Sequence, residues 1–450
     1  MCLDQDTNDC SVHSGTTTKM DHLRTRWNRC KSRVTAYYRA LTRDFNYSTD
    51  FFFGLDFLLA IAGARFNSEN AKLLRCWKVY RWTVYFPALV TLWNMVLNVQ
   101  QGAKLEILLS CMQGMIGSSS SALRVVLILW HYETLMEARR YVNRRCFGRH
   151  LERSLGIRSA AFYHIRKIVI PTVAIILIVV TSILAIDFSD HHYMKSPVDI
   201  KQTLPIFQKA YKLFFCFTLV GLALMTVLVF LVSYMVLTGL IGELRVIAQM
   251  YAVVFEETQK RVQGRLELEP GSSRQQDAMK KHYFWKFVQE EFGECIALHA
   301  EFLAMKNKIR PFLNATFLIV YFSTVFSLAC GAIYVTQMKT VTLFSLESLY
   351  YCLWVAIECA FLTKTVSLLT EANESIGLEV YNLDWPEKLE WNDKHQEEYR
   401  SVRATMMNVM TVAQQPLRLN CFGFFEFTQD RFYELLNMAY SMYTFLRNFV

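Results

Sequence analysis

The chain has 450 residues, of which 53% are hydrophobic and 19% are charged, and its formal net charge is +9. The apolar residues lie in long uncharged runs near membrane-spanning length, which excludes an ordinary soluble globular protein. The basic excess does not indicate nucleic-acid binding, because Lys and Arg cluster between the apolar runs and no nucleic-acid motif accompanies them.

The first residues, Met1 to Thr18, are polar and lack the apolar core of a cleavable signal peptide, so we expect the first span to insert as its own signal. Seven apolar segments follow in chain order. They cover residues 82–103, 107–130, 168–186, 213–242, 311–338, 341–363 and 432–450. The last segment is the weakest by hydropathy, with Glu434 near its start and Arg447 near its end. We count it as a span because of the C-terminal motifs described below.

Loop charge predicts the orientation. The loop between the second and third segments, from Arg139 to Lys167, is rich in arginine and poor in acidic residues. Strongly basic short loops stay in the cytosol. The N-terminus is then cytoplasmic and the C-terminus external, which is the reverse of a G-protein-coupled receptor. No cysteine falls in a predicted external loop, so no external disulfide is expected.

Several segments outside the spans have helical patterns. The aromatic stretch 50–59 predicts a short interfacial or re-entrant helix before the first span. Residues 245–261 and 280–310 are amphipathic, and Glu387 to Gln415 predicts a further helix that is rich in methionine in its second half. We therefore expect the fourth, fifth and sixth spans to continue into the cytosol as a helical bundle that packs against other subunits.

Motifs of soluble enzymes do not occur in the sequence: it has no Gly-rich phosphate loop, no zinc-spaced Cys/His cluster and no G-x-S-x-G elbow. His191 and His192 are adjacent, but no third ligand is evident, which favours a solvated loop over a metal site. The sequence predicts no enzymatic activity, no cofactor and no metal.

The C-terminal part of the chain carries three short motifs. They are Tyr381-Asn382-Leu383-Asp384-Trp385, Ala413-Gln414-Gln415-Pro416-Leu417, and Tyr440-Ser441 followed by Thr444 and Leu446. In order and spacing this region resembles the C-terminal signature of insect odorant receptors. Related gustatory receptors and the odorant co-receptor typically carry Thr-Tyr, five hydrophobic residues and Gln in the last span. At the matching positions this chain has Ser441-Met442 in place of Thr-Tyr and Asn448 in place of Gln. We therefore interpret it as a ligand-tuning subunit.

The resemblance implies a subunit of a ligand-gated, non-selective cation channel in the plasma membrane of sensory-neuron cilia or dendrites. It also implies a heterotetramer with co-receptor subunits, a pore lined by the seventh span, and contacts with membrane lipids but not with nucleic acid. The predicted fold class is an all-α membrane protein with seven transmembrane helices, inverted topology and a cytoplasmic helical anchor bundle. The predicted parts are an N-terminal segment at 1–80, a six-span bundle with the ligand pocket at 81–370, an anchor at 371–427 and the pore-lining span at 428–450.

A volatile ligand needs a mostly apolar, aromatic-lined cavity with a few polar groups. The outer half of the bundle offers candidates on four spans, although core packing is the alternative for each of them. They are Met112, Met115, Ile178, Thr181, Phe217, Gly221, Tyr350, Tyr351 and Trp354. Tyr351 and Trp354 are three residues apart and share a helix face.

Two further sets of residues are functional candidates. Tyr440 and Thr444 share a face of the last span, where the resemblance implies the narrow gate, whereas Ser441 and Phe445 are expected to pack on the bundle. Arg124 and Glu358 lie at similar depths in two inward-running spans, near the inner leaflet. They could form an intramembrane ion pair, but independent snorkelling is the expectation that we favour.

Three other functions compete with the odorant-gated channel. A gustatory-type channel subunit would need no separate co-receptor. A G-protein-coupled receptor is disfavoured by the loop charges, the lack of an external disulfide and the missing Asn-Pro-x-x-Tyr motif. A transporter would have internal repeats with broken helices in matching halves, and the sequence contains neither.

Overall fold

The computed structural model describes residues 44–144, 151–185, 205–268, 273–337 and 343–448. Within these ranges all regular secondary structure is helical, and the β pairing there is one isolated bridge between Asn420 and Glu426. The chain divides into two units, Met1–Thr49 and Asp50–Val450. The described part of the first unit is a turn in which the Asn46 side-chain oxygen accepts hydrogen bonds from Ser48 and Thr49. His191 and His192 lie outside the described residues.

The second unit contains twelve α-helices in its described ranges. They are α1 (Leu55–Ile61), α2 (Ala71–Gln100), α3 (Leu105–Trp130), α4 (Tyr132–Arg144), α5 (Leu151–Ala185), α6 (Pro205–Ala252), α7 (Val254–Leu268), α8 (Ser273–Gln337), α9 (Leu343–Tyr381), α10 (Trp385–Lys388), α11 (Gln396–Ala413) and α12 (Gln429–Arg447). Helix α6 lies at the centre of the unit and packs against α5, α9 and α2, while α8 packs against α3, α9 and α12.

Six helices in the described ranges are long and apolar enough to cross a membrane, namely α2, α3, α5, α6, α8 and α9. They coincide with the first six predicted segments, which confirms the prediction of an all-helical membrane protein. Helix α12 has 19 residues and is not apolar enough by the same measure. Its first turns carry Asp430, Arg431 and Glu434, as the weak hydropathy of this segment predicted.

Two helices are much longer than a bilayer requires. Helix α6 has 48 residues and α8 has 65. At about 1.5 Å per residue they measure roughly 72 and 98 Å, against roughly 30 Å for a hydrocarbon core. Both therefore project beyond the membrane, which confirms that the fourth and fifth spans continue as helices. Pro311 lies inside α8, where the charged first part gives way to the apolar span.

The predicted interfacial or re-entrant helix at 50–59 is wrong in its limits. Helix α1 begins only at Leu55, after Gly54 with a φ of 74°, and Phe51 and Phe52 are buried inside the protein. Phe51 is held there because its backbone N–H donates to the side-chain oxygen of Asn143 at 2.9 Å and its ring contacts Phe162 edge-on. Such long-range contacts do not appear in local periodicity.

Asp50 joins this segment to α4. The Arg139 guanidinium contacts Asp50 and also bonds Asp56 at 2.9 Å, and Asn143 donates to Asp50 at 2.6 Å. Burial alone raises the pKa of Asp50, but the hydrogen bonds from Arg139 and Asn143 outweigh it and hold that pKa below its ordinary value.

The predicted helix from Glu387 to Gln415 is interrupted: α10 ends at Lys388, and α11 begins only at Gln396. The Asn392 side chain accepts the backbone N–H of Lys394 at 3.1 Å and caps a short 3₁₀ turn before α11. Helix α11 ends at Ala413, whose carbonyl accepts a hydrogen bond from the Asn373 side chain of α9 at 2.6 Å. This bond ties the anchor helix to α9.

The predicted boundaries of the four parts of the chain, at residues 80, 370 and 427, stay predictions. The limits at 80 and 370 fall within the continuous helices α2 and α9, whereas the limit at 427 coincides with the start of α12 at its cap residue Thr428.

Candidate ligand-binding site

A cavity of about 180 Å³ lies between α3, α5, α6 and α9. Its wall is mostly apolar, with a few hydroxyl, amide and indole groups and the carboxylate of Glu347. The lining residues are Ser110, Gln113, Gly114, Gly117, Ser118, Ile176, Val179, Leu219, Leu222, Ala223, Thr226, Val227, Glu347, Ser348, Tyr350, Tyr351 and Trp354. Cavities of this kind, with convergent polar groups on apolar walls, bind small molecules.

Small residues on α3 allow α9 to approach closely. A methyl group added to Gly117 would lie 2.5 Å from the hydroxyl oxygen of Tyr351 and 2.8 Å from its ring carbon Cζ. Gly331 of α8 similarly accommodates Cys352, whose sulfur would lie 2.2 Å from an added Cβ. The Tyr351 ring therefore occupies space that exists only because residue 117 has no side chain.

Most polar groups of the wall are satisfied by other protein groups. Ser348 Oγ donates to Gln113 Oε1 at 2.9 Å, and Gln113 Nε2 donates to Cys352 Sγ at 3.2 Å. The hydroxyls of Ser121 and Thr226 are 2.7 Å apart and join α3 to α6. These bonds fix the relative positions of three wall helices.

Trp354 differs from these groups. Its indole Nε1 is buried and has no hydrogen-bond partner among the described residues. The ring itself packs edge-on against Phe230 at 5.7 Å between centroids and also lines the cavity. A buried N–H without an acceptor costs free energy that a ligand oxygen can recover.

The sequence-predicted ligand residues divide into two groups. Tyr350, Tyr351 and Trp354 line the cavity together. The others do not line it. Met112 packs against Leu109, Cys330 and Ile333, and Met115 is half-buried away from the cavity. Ile178 is 67% exposed, and Thr181 is also exposed. Gly221 lies in close contact with Val84, and the Phe217 side chain lies outside the described atoms.

The residues that sequence reasoning missed are mainly small or polar. On α5 the lining positions are Ile176 and Val179, so the predicted face was rotated away from the cavity. Gln113, Gly117 and Thr226 were not predicted, because the expected lining was mostly apolar and aromatic. The run of Gly and Ser residues between 114 and 121 was the available signal for a close helix approach.

Arg124 and Glu358 form an ion pair beneath the cavity, between α3 and α9. Both side chains are only 2% exposed, and the guanidinium Nη1 contacts the carboxylate Oε1. Arg124 follows the cavity residue Gly117 by seven positions, and Glu358 follows Tyr351 by seven. Both charged residues therefore lie about 10 Å further along their helices. The favoured expectation of independent snorkelling is wrong, since neither group reaches solvent. Arg124 Nε has no partner among the described residues.

Helix α12 packs on the bundle through a face different from the predicted one. Leu435 and Ala439 are buried, and Tyr443 and Leu446 pack against the apolar cluster of Leu109, Cys330 and Ile333. Ser441 is exposed and Phe445 is 61% exposed, so the expectation that these two residues pack on the bundle is wrong.

The two candidate pore residues lie in the second half of α12. Tyr440 is 67% exposed in the single subunit, and Thr444 is half-buried with its hydroxyl donating to the Ser441 carbonyl at 2.8 Å. Met112 of α3 contacts the same apolar cluster as Tyr443 and Leu446. The cavity helix α3 and helix α12 therefore share one packed cluster.

The described residues thus form a bundle of membrane-length helices around a cavity of small-molecule size, the architecture of a multi-pass membrane protein. The model of the family described as 7tm Odorant receptor matches residues 108–440. The fold is similar to that of the insect olfactory receptor OR5 from Machilis hrabei, with a TM-score of 0.64, 10% identity, and coverage of 87% of this chain and 96% of that chain. The structure of that receptor in complex with eugenol gives a TM-score of 0.65 at 10% identity, covering 88% and 97%. A comparison with curated protein sequences finds no significant match.

The chain belongs to the 7tm odorant receptor family. This assignment confirms the predicted family and the seven-helix membrane fold, with α12 as the seventh helix. It also confirms the prediction that the chain is an odorant receptor and not an enzyme.

Proposed function

We propose that the cavity between α3, α5, α6 and α9 is the odorant site of this receptor. The observation that carries the proposal is a cavity that combines an apolar wall, three aromatic residues from α9 and an indole N–H without an acceptor among the described residues. The OR5 structure in complex with eugenol supports the idea that this fold accommodates a small ligand.

The cavity limits the size and chemistry of the odorant. Its volume of about 180 Å³ is slightly larger than the roughly 150 Å³ cavity that holds benzene in an engineered protein. The ligand class is therefore a molecule of about one ring or an aliphatic chain of similar volume. Because Trp354 can donate one hydrogen bond, an ester, ketone, ether or alcohol oxygen is favoured over a pure hydrocarbon.

Binding is coupled to the pore through α3 in this proposal. Gln113 contributes to the cavity wall, and its neighbour Met112 packs on the cluster that also holds Tyr443 and Leu446 of α12. An odorant that shifts α3 alters the support of α12, whose residues Tyr440 and Thr444 line the pore. Mutations in this cluster are therefore expected to change the coupling between odorant binding and current.

The proposed assembly is a heterotetramer with co-receptor subunits in the plasma membrane of sensory neurons, with the N-terminus in the cytosol. The departure of residues 441–448 from the co-receptor pattern supports a tuning role for this chain. The basic loop from Arg139 to Lys167 supports the orientation.

The test is expression of the full chain with and without a co-receptor, while odorant-evoked cation current is recorded. The proposal predicts current from small oxygenated odorants only when both subunits are present. An epitope after Val450 is expected to label on intact cells, and one before Met1 is not. Odorant-evoked current from this chain alone would contradict the co-receptor requirement, and the opposite labelling would contradict the orientation.

A further inference from the structure

Three cations cluster where α8 enters its apolar span. Lys306 and Arg310 are one turn apart on α8, just before Pro311, and share a helix face. The Lys306 ammonium donates to the carbonyl of Leu417 at 3.3 Å, which brings the neighbouring Arg418 to the same place. Lys306 is only 7% exposed, so its charge is largely removed from water.

Among the described residues this cluster contains no counter-charge. The charged groups that act on Lys306 are Arg310 and Arg418, and both are positive. Lys308, two positions away, has a carboxylate partner in Glu137 at 2.9 Å, whereas no ion pair within the described ranges includes any of the three clustered cations. A buried ammonium without an anion is costly, so the cluster is suited to an anion that comes from outside the chain.

An aromatic hairpin follows the cluster. The segment 418–427, between α11 and α12, closes through backbone hydrogen bonds from Cys421 to Phe425 at 2.9 Å and from Phe427 to Leu419 at 3.2 Å. It displays two phenylalanines at its tip, Phe422 with 60% exposure and Phe424 with 76% exposure.

Contacts with α8 fix the depth of this hairpin. Asn314 and Asn420 exchange hydrogen bonds of 2.9 and 3.1 Å, and Phe427 stacks on Phe317 with centroids 4.3 Å apart. Asn314 and Phe317 lie about 5 and 9 Å beyond Pro311 along α8. The hairpin thus lies just inside the apolar span, while the cations lie just outside it.

The backbone of the tip is built to display its side chains. Phe422 has a φ of 51° and Gly423 a φ of 86°, and positive φ is unfavourable for a bulky residue such as phenylalanine. Strain of this kind persists where the surroundings impose it and is concentrated at functional sites. Exposed aromatic rings beside basic groups are suited to the boundary between headgroups and acyl chains.

We propose that Lys306, Arg310 and Arg418, together with Phe422 and Phe424, bind an anionic phospholipid of the cytoplasmic leaflet. Arg310 and Arg418 hold the phosphate groups, the buried charge of Lys306 behind them strengthens the attraction, and the two rings insert beside the acyl chains. The assignment of the leaflet rests on the proposed orientation of the receptor. Because the site lies on the segment that joins the anchor helix α11 to α12, a bound lipid stabilises the connection between the anchor and the pore-lining helix.

The test measures lipid retention by native mass spectrometry on the full-length receptor, without odorant and without current recording. The receptor is released from phosphatidylcholine nanodiscs that contain phosphatidylinositol bisphosphate. The expected result is retention of the anionic lipid by the wild type, weakened roughly fivefold by Arg418→Gln and by Lys306→Met. Lys308→Met is the matched control, since it removes a charge from the same helix but from a residue that is 60% exposed and paired with Glu137.

Folding is separated from binding by the choice of variants. Arg418 is exposed, so its replacement leaves the core intact, and Lys306→Met replaces a buried charge with an apolar chain of similar length. Phe424→Ser is expected to weaken retention of the lipid but not the binding of soluble inositol trisphosphate.

Equal lipid retention by all variants would overturn the proposal, as would equal affinity for the lipid and its soluble headgroup. Loss of subunit assembly with unchanged lipid retention would also overturn it, by assigning the counter-charge to another subunit. Odorant-evoked current does not enter these measurements, so their failure leaves the proposed odorant site standing.

Discussion

Gly117→Ala tests the cavity most sharply, because its effect can be worked out from the contact with Tyr351. The added methyl would lie 2.5 Å from the Tyr351 hydroxyl oxygen, so the ring has to move by about 1 Å to reach ordinary contact distance. Tyr351 lines the cavity, so its ring can move into the cavity space. The substitution therefore weakens ligand binding more than it lowers the free energy of unfolding.

The size of the effect follows from overpacking, which costs about 1–3 kcal/mol. That range corresponds to a roughly 5- to 150-fold higher odorant concentration for half-maximal current. Bulky odorants are expected to lose more sensitivity than small ones, because the displaced ring removes volume. The measurement is a set of dose–response curves for odorants of increasing size, recorded with the co-receptor and corrected for surface expression.

Two comparisons make this prediction refutable. Gly156→Ala is the control, because an added Cβ there meets nothing within 4 Å. On a Tyr351→Leu background, which removes the clashing atoms, Gly117→Ala is expected to have little further effect. A Gly117→Ala receptor with wild-type curves for every odorant, or additive effects in the double variant, would refute the reasoning.

Three other predictions concern the indole, the ion pair and the pore. Trp354→Phe keeps a ring but removes the N–H donor, so dose–response curves are expected to show weaker responses to oxygenated odorants and unchanged responses to hydrocarbon analogues of the same shape; equal shifts for both would contradict the donor role. Arg124→Leu and Glu358→Leu alone leave an uncompensated buried charge at a cost of about 3–5 kcal/mol and are expected to reduce surface expression, whereas the double variant and the charge swap are expected to recover part of it; additive losses would show that the pair is not a unit. Cysteine at Tyr440 or Thr444 is expected to react with water-soluble thiol reagents mainly when odorant opens the channel, while cysteine at the buried Ala439 is not; equal reactivity at the three positions would reject the pore face.

The spans could be predicted from the sequence because a run of about 20 uncharged apolar residues has few alternatives to a membrane helix. The segment 168–186 shows the limit of that signal. Both its lipid-facing and its cavity-facing residues are apolar, so periodicity does not distinguish Ile178, which is 67% exposed, from Ile176, which lines the cavity. A rotation of about 100° per residue then decides which residues meet a ligand.

Contacts between distant parts of the chain explain the other differences. Arg124 and Glu358 were each identified as unusual, but their pairing depends on how α3 and α9 pack together. The sequence predicts a helix from residue 50 and not from Leu55, because nothing local indicates the contact of Phe51 with Phe162. The aromatic residues of α9 were found because Tyr351 and Trp354 share a helix face, a property that the sequence does contain.

The most direct test of the odorant site is protection of a cavity cysteine by odorant. Ala223 of α6 lines the cavity, so Ala223→Cys places a thiol inside the proposed site. Ile178→Cys is the control, because Ile178 is exposed and does not line the cavity. With the co-receptor present, a saturating odorant is expected to slow modification of the cysteine at 223 by a small thiol reagent and to leave modification at 178 unchanged. Modification at 223 that proceeds at the same rate with and without odorant would contradict the account.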